Sequence, residues 1–280
     1  MESGTIAAIA TIEVVLDVSP ASAIVMFDSG VGGLTVLDAV RRAVPDMPII
    51  YAADMAGLPY GTKSEAEVAA RVCGLLGRMT ERWQPRLVCI ACNTASTIAL
   101  GMVRDVLETP IVGTVPAIKP AAASTRTGVI GLLGTEATVR QRYVDDLEAR
   151  FAGGTRLLRH GANALVPLAE AKLRGHHVPG QAISDAVAGL LAQDGAEDID
   201  TVVLACTHFP LLAKELADAL GPVRLIDGAD GIARRVAALT AGQPAERAAP
   251  DLAVTTGDAA DFAALAPAFA ARGITRLDTL

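Results

Sequence analysis

Short apolar runs alternate along this chain with longer amphipathic stretches, and small polar or turn-forming residues separate the two kinds. Ala23–Phe27, Pro48–Ala52, Leu87–Ala91, Pro110–Val115, Thr127–Leu133, Thr155–Leu158, Thr201–Ala205, Val223–Ile226 and Leu252–Thr255 are predicted as strands, with a last short one near Thr275. Several are apolar without alternation and rich in β-branched residues, the pattern of strands buried on both faces of a parallel sheet. Helices are predicted over Leu34–Ala43, from Ser64, over Asn93–Leu107, Pro116–Ser124 and Gly134–Arg150, from Val166, over Pro179–Leu191, after Asp227, and over Asp258–Ala271. Ser64 and Glu67 have the spacing of a capping box. Strand-helix alternation throughout predicts an α/β protein with helices on both faces of parallel sheets.

Two stretches organise the rest. Leu87-Val88-Cys89-Ile90-Ala91-Cys92-Asn93-Thr94 and Thr201-Val202-Val203-Leu204-Ala205-Cys206-Thr207-His208 are each an apolar run ending in Ala-Cys. Asn93 and Thr207 suit helix starts, because their side chains accept from free backbone N–H groups. Each cysteine is therefore expected at the carboxyl end of a strand, where ligands bind in open α/β sheets. A helix N-terminus favours the thiolate, so a lowered thiol pKa is expected at both. Two such units predict two similarly built α/β lobes facing across a cleft, with a thiol on each wall. From the residues alone, two structural cysteines at strand ends remain an open alternative.

Other stretches add polar groups. Asp28-Ser29-Gly30-Val31-Gly32-Gly33 follows the first strand, and its glycines let backbone approach a ligand. It matches neither a dinucleotide fingerprint nor a phosphate-binding loop. The turn-rich loop Asp54–Ser64 carries Tyr60, the tyrosine expected to face a substrate. Thr135 and Thr138 place two hydroxyls one turn apart at a helix start.

Composition narrows the class. Of 280 residues, 51% are hydrophobic, enough for a sizeable core, and the net charge of -7 without a basic cluster excludes a general nucleic-acid binder. The pairs Arg41-Arg42 and Arg234-Arg235 are read as solvated helix faces. Four cysteines in a chain of this length make no disulfide framework, and a reduced, cytoplasmic setting is expected. Cys89 and Cys92 would point to opposite faces of one strand, with Cys89 in the core and Cys73 on a helix. Thr5–Val18 is apolar but carries Glu13 and Asp17 and is too short to span a membrane. Ala21-Ser22-Ala23 has the form of a signal-cleavage site, yet no Lys or Arg precedes it, so no secretory signal is expected.

Five motifs in order then carry a resemblance. Phe27-Asp28-Ser29-Gly30-Val31-Gly32-Gly33-Leu34, Pro59-Tyr60-Gly61-Thr62-Lys63-Ser64, Ala91-Cys92-Asn93-Thr94-Ala95-Ser96, Gly134-Thr135-Glu136-Ala137-Thr138-Val139 and Cys206-Thr207-His208-Phe209-Pro210 resemble motifs of the aspartate/glutamate racemase family. Thr255-Thr256-Gly257-Asp258 resembles a further family segment. Cys-Thr-His, where aspartate racemases carry Cys-Thr-Glu, favours glutamate. Ala205, Phe209 and Ala162 depart mildly from the family pattern.

The resemblance implies two pseudo-symmetric, flavodoxin-like lobes: 23–115 with 225–280 as the first, 116–224 as the second, and 1–22 as an N-terminal extension. It implies cofactor-independent interconversion of L- and D-glutamate, supplying D-glutamate for peptidoglycan. By the family pattern Cys92 and Cys206 are the acid/base thiols, assisted by Asp28, His208 and Glu170. Asp28, Ser29, Pro59, Tyr60, Gly61, Asn93, Thr94, Thr135, Thr138, Thr207 and His208 would hold the substrate, and no metal is implied. The expected partner is small-molecule glutamate, with no nucleic acid and no membrane; a homodimer is the one protein assembly carried as an expectation. Another acidic amino acid or a hydantoin-like substrate, a silent binding protein and a thiol redox protein are the alternatives.

Overall fold

The computed structural model describes residues 22–247 and 249–280. Of the extension read as 1–22, residues 1–21 lie outside the described residues, and with them the apolar stretch Thr5–Val18 and the first residue of Ala21-Ser22-Ala23.

Along the first part of the chain run β1 (Ile24–Asp28), α1 (Leu34–Ala43), β2 (Ile49–Ala53), α2 (Glu65–Trp83), β3 (Leu87–Ile90), α3 (Asn93–Val106) and β4 (Ile111–Gly113). Next come α4 (Ile118–Ser124), β5 (Val129–Gly134), α5 (Glu136–Val139), α6 (Arg142–Phe151), β6 (Arg156–Gly161), α7 (Leu165–Leu173), α8 (Gly180–Leu191), β7 (Thr201–Ala205), α9 (Ala213–Leu220) and β8 (Arg224–Ile226). The chain ends with α10 (Ala229–Thr240), β9 (Leu252–Thr255), α11 (Ala259–Ala263), α12 (Ala266–Ala270) and β10 (Arg276–Thr279).

All strand pairs are parallel, as the unalternating apolar runs predicted. One sheet has the order β10-β9-β2-β1-β3-β4 and the other β6-β5-β7-β8. Within them β2-β1-β3-β4 and β6-β5-β7-β8 share one winding, so the likeness of the two cysteine units is a likeness of topology. Cys92 follows β3 and Cys206 follows β7, equivalent strands of the two sheets. Each cysteine thus lies beside the point where strand order reverses, the crevice in which open α/β sheets bind ligands.

Each sheet is covered on both faces. Ile24, Met26, Leu87 and Cys89 pack on the α1 and α10 side, whereas Val25, Phe27, Val88, Ile90 and Cys92 pack on the α2 and α3 side. Cys89 and Cys92 therefore do face opposite ways, because side chains alternate along a strand. The second sheet sits between α8 with α9 on one face and α4 with α6 on the other. No helix of the described residues is long and apolar enough to cross a membrane.

Several expectations are corrected. The cap of α3 is Cys92 and not Asn93: the cysteine backbone is extended and its Sγ accepts from Ala95 N–H at 3.5 Å. Thr207 starts no α-helix; Phe209–Leu212, with Pro210 in it, forms a 3-10 turn before α9. The segment 134–150 is split into α5 and α6 because Gln141 is extended (φ −71°, ψ 135°). The segment 258–271 divides at Leu265, where Pro267 enters the first turn of α12 without an N–H to continue the earlier ladder. Ser64 caps α2, its Oγ accepting from Glu67 N–H at 3.2 Å, while the Glu67 carboxylate pairs with Lys63 at 2.7 Å. Arg41 is not a solvated residue: it is ion-paired to the buried Asp251, which also accepts from Ile49 N–H at 2.9 Å.

Candidate active site

The carboxyl ends of β1, β3, β5 and β7 meet around one cavity. Ser29, Leu58, Pro59, Tyr60, Gly61, Cys92, Asn93, Thr94, Thr135, Val166, Cys206, Thr207 and His208 line it. Eleven of these the sequence had singled out; Leu58 and Val166 it had not, since an apolar wall residue has no chemical signature. Asp28, Thr138 and Glu170 stand behind the lining and are buried.

The first wall is built on β1 and β3. Asp28 ends β1 wholly buried, its carboxylate accepting from Ser29 N–H and Gly33 N–H at 2.8 Å each. Burial pushes its pKa up; the His208 charge and the two N–H groups offset this in part. Ser29 Oγ lies 3.6 Å from the Cys92 sulfur. Burial pushes the Cys92 thiol well above its ordinary value, and the Asp28 charge adds to it against Ala95 N–H and Ser29. At Cys92 the lowered pKa expected from helix position alone is thus overturned: one helix N–H does not offset removal from water. Asn93 is also buried, and its Oδ1 has no hydrogen-bond partner among the described residues.

The second wall differs in kind. Cys206 has the imidazole of His208 beside it, with Sγ 3.9 Å from Nδ1. His208 Nε2 lies 2.8 Å from Glu170 Oε1, which also accepts from Val31 N–H at 3.1 Å. Arg174 Nη1 donates to Glu170 Oε2 at 2.8 Å. Burial alone would lower the His208 pKa, yet Cys206, Glu170 and Asp28 raise it well above the usual imidazole value. Burial would likewise raise Glu170, but His208, Arg174 and Val31 N–H hold it down to about 2. Both shifts favour the charged forms, an imidazolium paired with a carboxylate.

Glycines allow this approach. A Cβ on Gly32 would lie 2.5 Å from His208 Nδ1, and one on Gly30 would lie 2.7 Å from Glu170 Oε1. One on Gly61 would meet Thr135 Cβ at 2.7 Å. The Gly-rich turn after β1 thus admits side chains of the opposite wall rather than a phosphate.

Three hydroxyls join the walls. Thr94 Oγ1 lies 2.9 Å from Thr135 Oγ1 and 3.1 Å from Thr138 Oγ1, and the last two are 3.0 Å apart. Tyr60 lines the cavity, but its hydroxyl turns away and donates to Asp54 Oδ2 at 2.6 Å. Asp54 is itself buried and bonded by Arg71 and Thr256. Asp54, Arg71 and Arg174 were not among the residues read from the sequence. For Arg174 a signal existed, since Glu170 and Arg174 are spaced as a helical ion pair.

Chemically, the cavity holds two thiols on opposite walls, an ion pair behind one of them, and hydroxyl, amide and backbone groups between. The Asp/Glu/hydantoin racemase family model matches residues 32–236. A glutamate racemase of Sphingopyxis alaskensis is 64% identical over 241 residues, 85% of this chain and 90% of the relative. One from Pectobacterium carotovorum is 48% identical, over 78% of this chain and 76% of its own. Among solved structures, Escherichia coli glutamate racemase in complex with L-glutamate and an activator superposes with a TM-score of 0.86 at 41% identity, covering 92% of this chain and 98% of that one. The chain belongs to the Asp/Glu/hydantoin racemase family.

Proposed function

We propose that this protein is a cytoplasmic glutamate racemase that interconverts L- and D-glutamate by proton transfer between two thiols, and that its product D-glutamate serves peptidoglycan synthesis. The observation that carries this reading is the lining of one cavity by Cys92 and Cys206 from equivalent strands of two sheets. The named relatives and the L-glutamate complex of the Escherichia coli enzyme support the choice of substrate. We further read 23–115 with 225–280 and 116–224 as the two lobes that carry the walls.

In this mechanism the thiolate on one wall takes the proton from Cα, and the electron pair of the C–H bond passes into the carbanion beside the α-carboxylate. The thiol on the other wall delivers its proton to the opposite face, and the two sulfurs exchange protonation states. That is general acid–base catalysis by opposed groups. The His208 imidazolium is the charged neighbour of Cys206, and Glu170 keeps it protonated. Asp28 lies behind Cys92 through Ser29. The unpaired Oδ1 of Asn93 suits the substrate ammonium, while Ser29, Thr94, Thr135, Thr207 and the backbone near Gly61 suit its carboxylates; Pro59, Tyr60 and Thr138 shape and hold these positions.

The test is deuterium incorporation at Cα of L- and D-glutamate in heavy water, without added cofactor. Label in the inverted product from either enantiomer is the expected result. Exchange with aspartate only would keep the mechanism and change the substrate. No exchange with either would leave a binding protein.

A further inference from the structure

The geometry points to Arg174 as a positioning residue: its guanidinium fixes the outer oxygen of Glu170, whose inner oxygen holds His208 against Cys206. Arg174 Nη1 reaches both Glu170 Oε2 at 2.8 Å and the Glu170 backbone oxygen at 3.2 Å. One nitrogen thus locks the carboxylate to the helix that bears it. The inner oxygen has two donors, Val31 N–H and His208 Nε2, whereas Arg174 is the partner of the outer one among the described residues. Without the guanidinium, Oε2 would be left nearly buried and unpaired, and the carboxylate would turn toward another donor or toward water.

Exposure falls along the series. The side chain of Arg174 is 24% exposed, that of Glu170 9% and that of His208 2%. Arg174 forms part of the wall of a groove with Met55, Thr256 and Asp258, outside the thiol cavity. It touches neither thiol and cannot contact a substrate between them. Its effect passes through Glu170 to His208, the imidazole beside Cys206, and so falls chiefly on the Cys206 side of the reaction.

This inference rests on the racemase reading above, and the test separates the two. Wild-type enzyme is assayed first for Cα exchange from both glutamate enantiomers; failure there removes the reading itself. Arg174→Met and Arg174→Lys are then compared by kcat, KM and the isotope effect with α-deuterated L- and D-glutamate. The equilibrium constant between enantiomers is one, so kcat/KM must fall equally in both directions. The isotope effect need not: slowing transfer at Cys206 makes removal of the α-proton more rate-limiting only for the enantiomer whose proton Cys206 takes.

Arg174→Met is expected to lower kcat about tenfold or more, short of the 10²–10⁴ carried by a whole acid–base group, with KM within about threefold because no substrate contact is lost. The isotope effect should rise for one enantiomer only. Arg174→Lys should restore most of the rate, because a single nitrogen can again bridge the two Glu170 oxygens. Equal isotope effects for both enantiomers, a loss carried by KM, or lysine no better than methionine would each overturn the assignment. A folding defect in Arg174→Met would appear in both enantiomers alike, and the lysine variant keeps the test open.

Discussion

Gly32 and His208 approach so closely across the two walls that a single added carbon would occupy the imidazole. The Cβ of an alanine at 32 would lie 2.5 Å from Nδ1 and 2.6 Å from the His208 backbone nitrogen. Gly32 has no left-handed backbone to defend, so the requirement is one of space alone.

Gly32→Ala is therefore expected to push the His208 ring off the Cys206 sulfur without unfolding the protein. A shift of about 1 Å at a reacting group can cost on the order of 100-fold in rate, and overpacking costs about 1–3 kcal/mol of stability. Polarimetry should show kcat falling by that order, while circular dichroism shows the native spectrum with a lowered melting temperature. Wild-type turnover in Gly32→Ala would mean that the ring need not stand where it does.

Cys92→Ser and Cys206→Ser separate the two walls. Each is expected to lower racemisation by at least about 10³-fold, as removal of a member of a catalytic pair does. Each should also differ in the enantiomer from which any residual Cα exchange survives, since only one sulfur faces each α-proton. NMR of the α-proton signal in heavy water reads both effects. Full activity in either variant would refute the two-thiol account.

The parallel pairing of the strands and the strand-end position of both cysteines were legible in the sequence because each rests on local pattern, an apolar run with a small residue at its end. Much of the cavity lining was legible only through the resemblance of five ordered motifs, and the strand order was not read at all. What was not legible depends on partners far apart in the chain. Cys92 reads as a thiol activated by a helix, yet its burial beside Asp28 outweighs one N–H. Arg41 reads as a solvated helix face because Asp251, 210 positions away, is out of view. The asymmetry between the walls was hidden for the same reason. Ala-Cys-Asn-Thr and Ala-Cys-Thr-His look alike, but Cys92 caps a helix and Cys206 faces an imidazole held by Glu170.

The Glu170–His208 pair carries a pH signature. Glu170 is held down to about 2 from 4.5, so its contribution to stability is complete above about pH 4.5 and is lost as the pH falls toward 2. His208 is raised above 6.5, so its contribution is complete below about pH 6.5 and is lost as the pH rises through its elevated value. Glu170→Gln keeps the shape and removes the charge. The gap in stability between wild type and Glu170→Gln, about 1–3 kcal/mol for a bond to a charged group, should be widest between about pH 5 and 6.5 and should shrink toward pH 3. Urea unfolding across this range checks it; a gap that widens on acidification would have the wrong sign for an ionised Glu170.

Tyr60→Phe tests whether the tyrosine acts through its ring or its hydroxyl. The ring lines the cavity, but the hydroxyl donates to Asp54 at 2.6 Å, on the side where Arg71 and Thr256 also bind that carboxylate. Burial and the Asp54 charge push the tyrosine pKa upward, so the group stays a neutral donor. Removing the oxygen leaves the wall in place and takes one donor from a buried carboxylate. The expected cost is about 1–3 kcal/mol in stability, with KM for glutamate changed by less than about threefold, because uniform binding is untouched. Thermal melts and initial-rate kinetics on the same preparation decide it. A large rise in KM with unchanged stability would show instead that the hydroxyl turns into the cavity to meet the substrate, and that Asp54 holds it only when the site is empty.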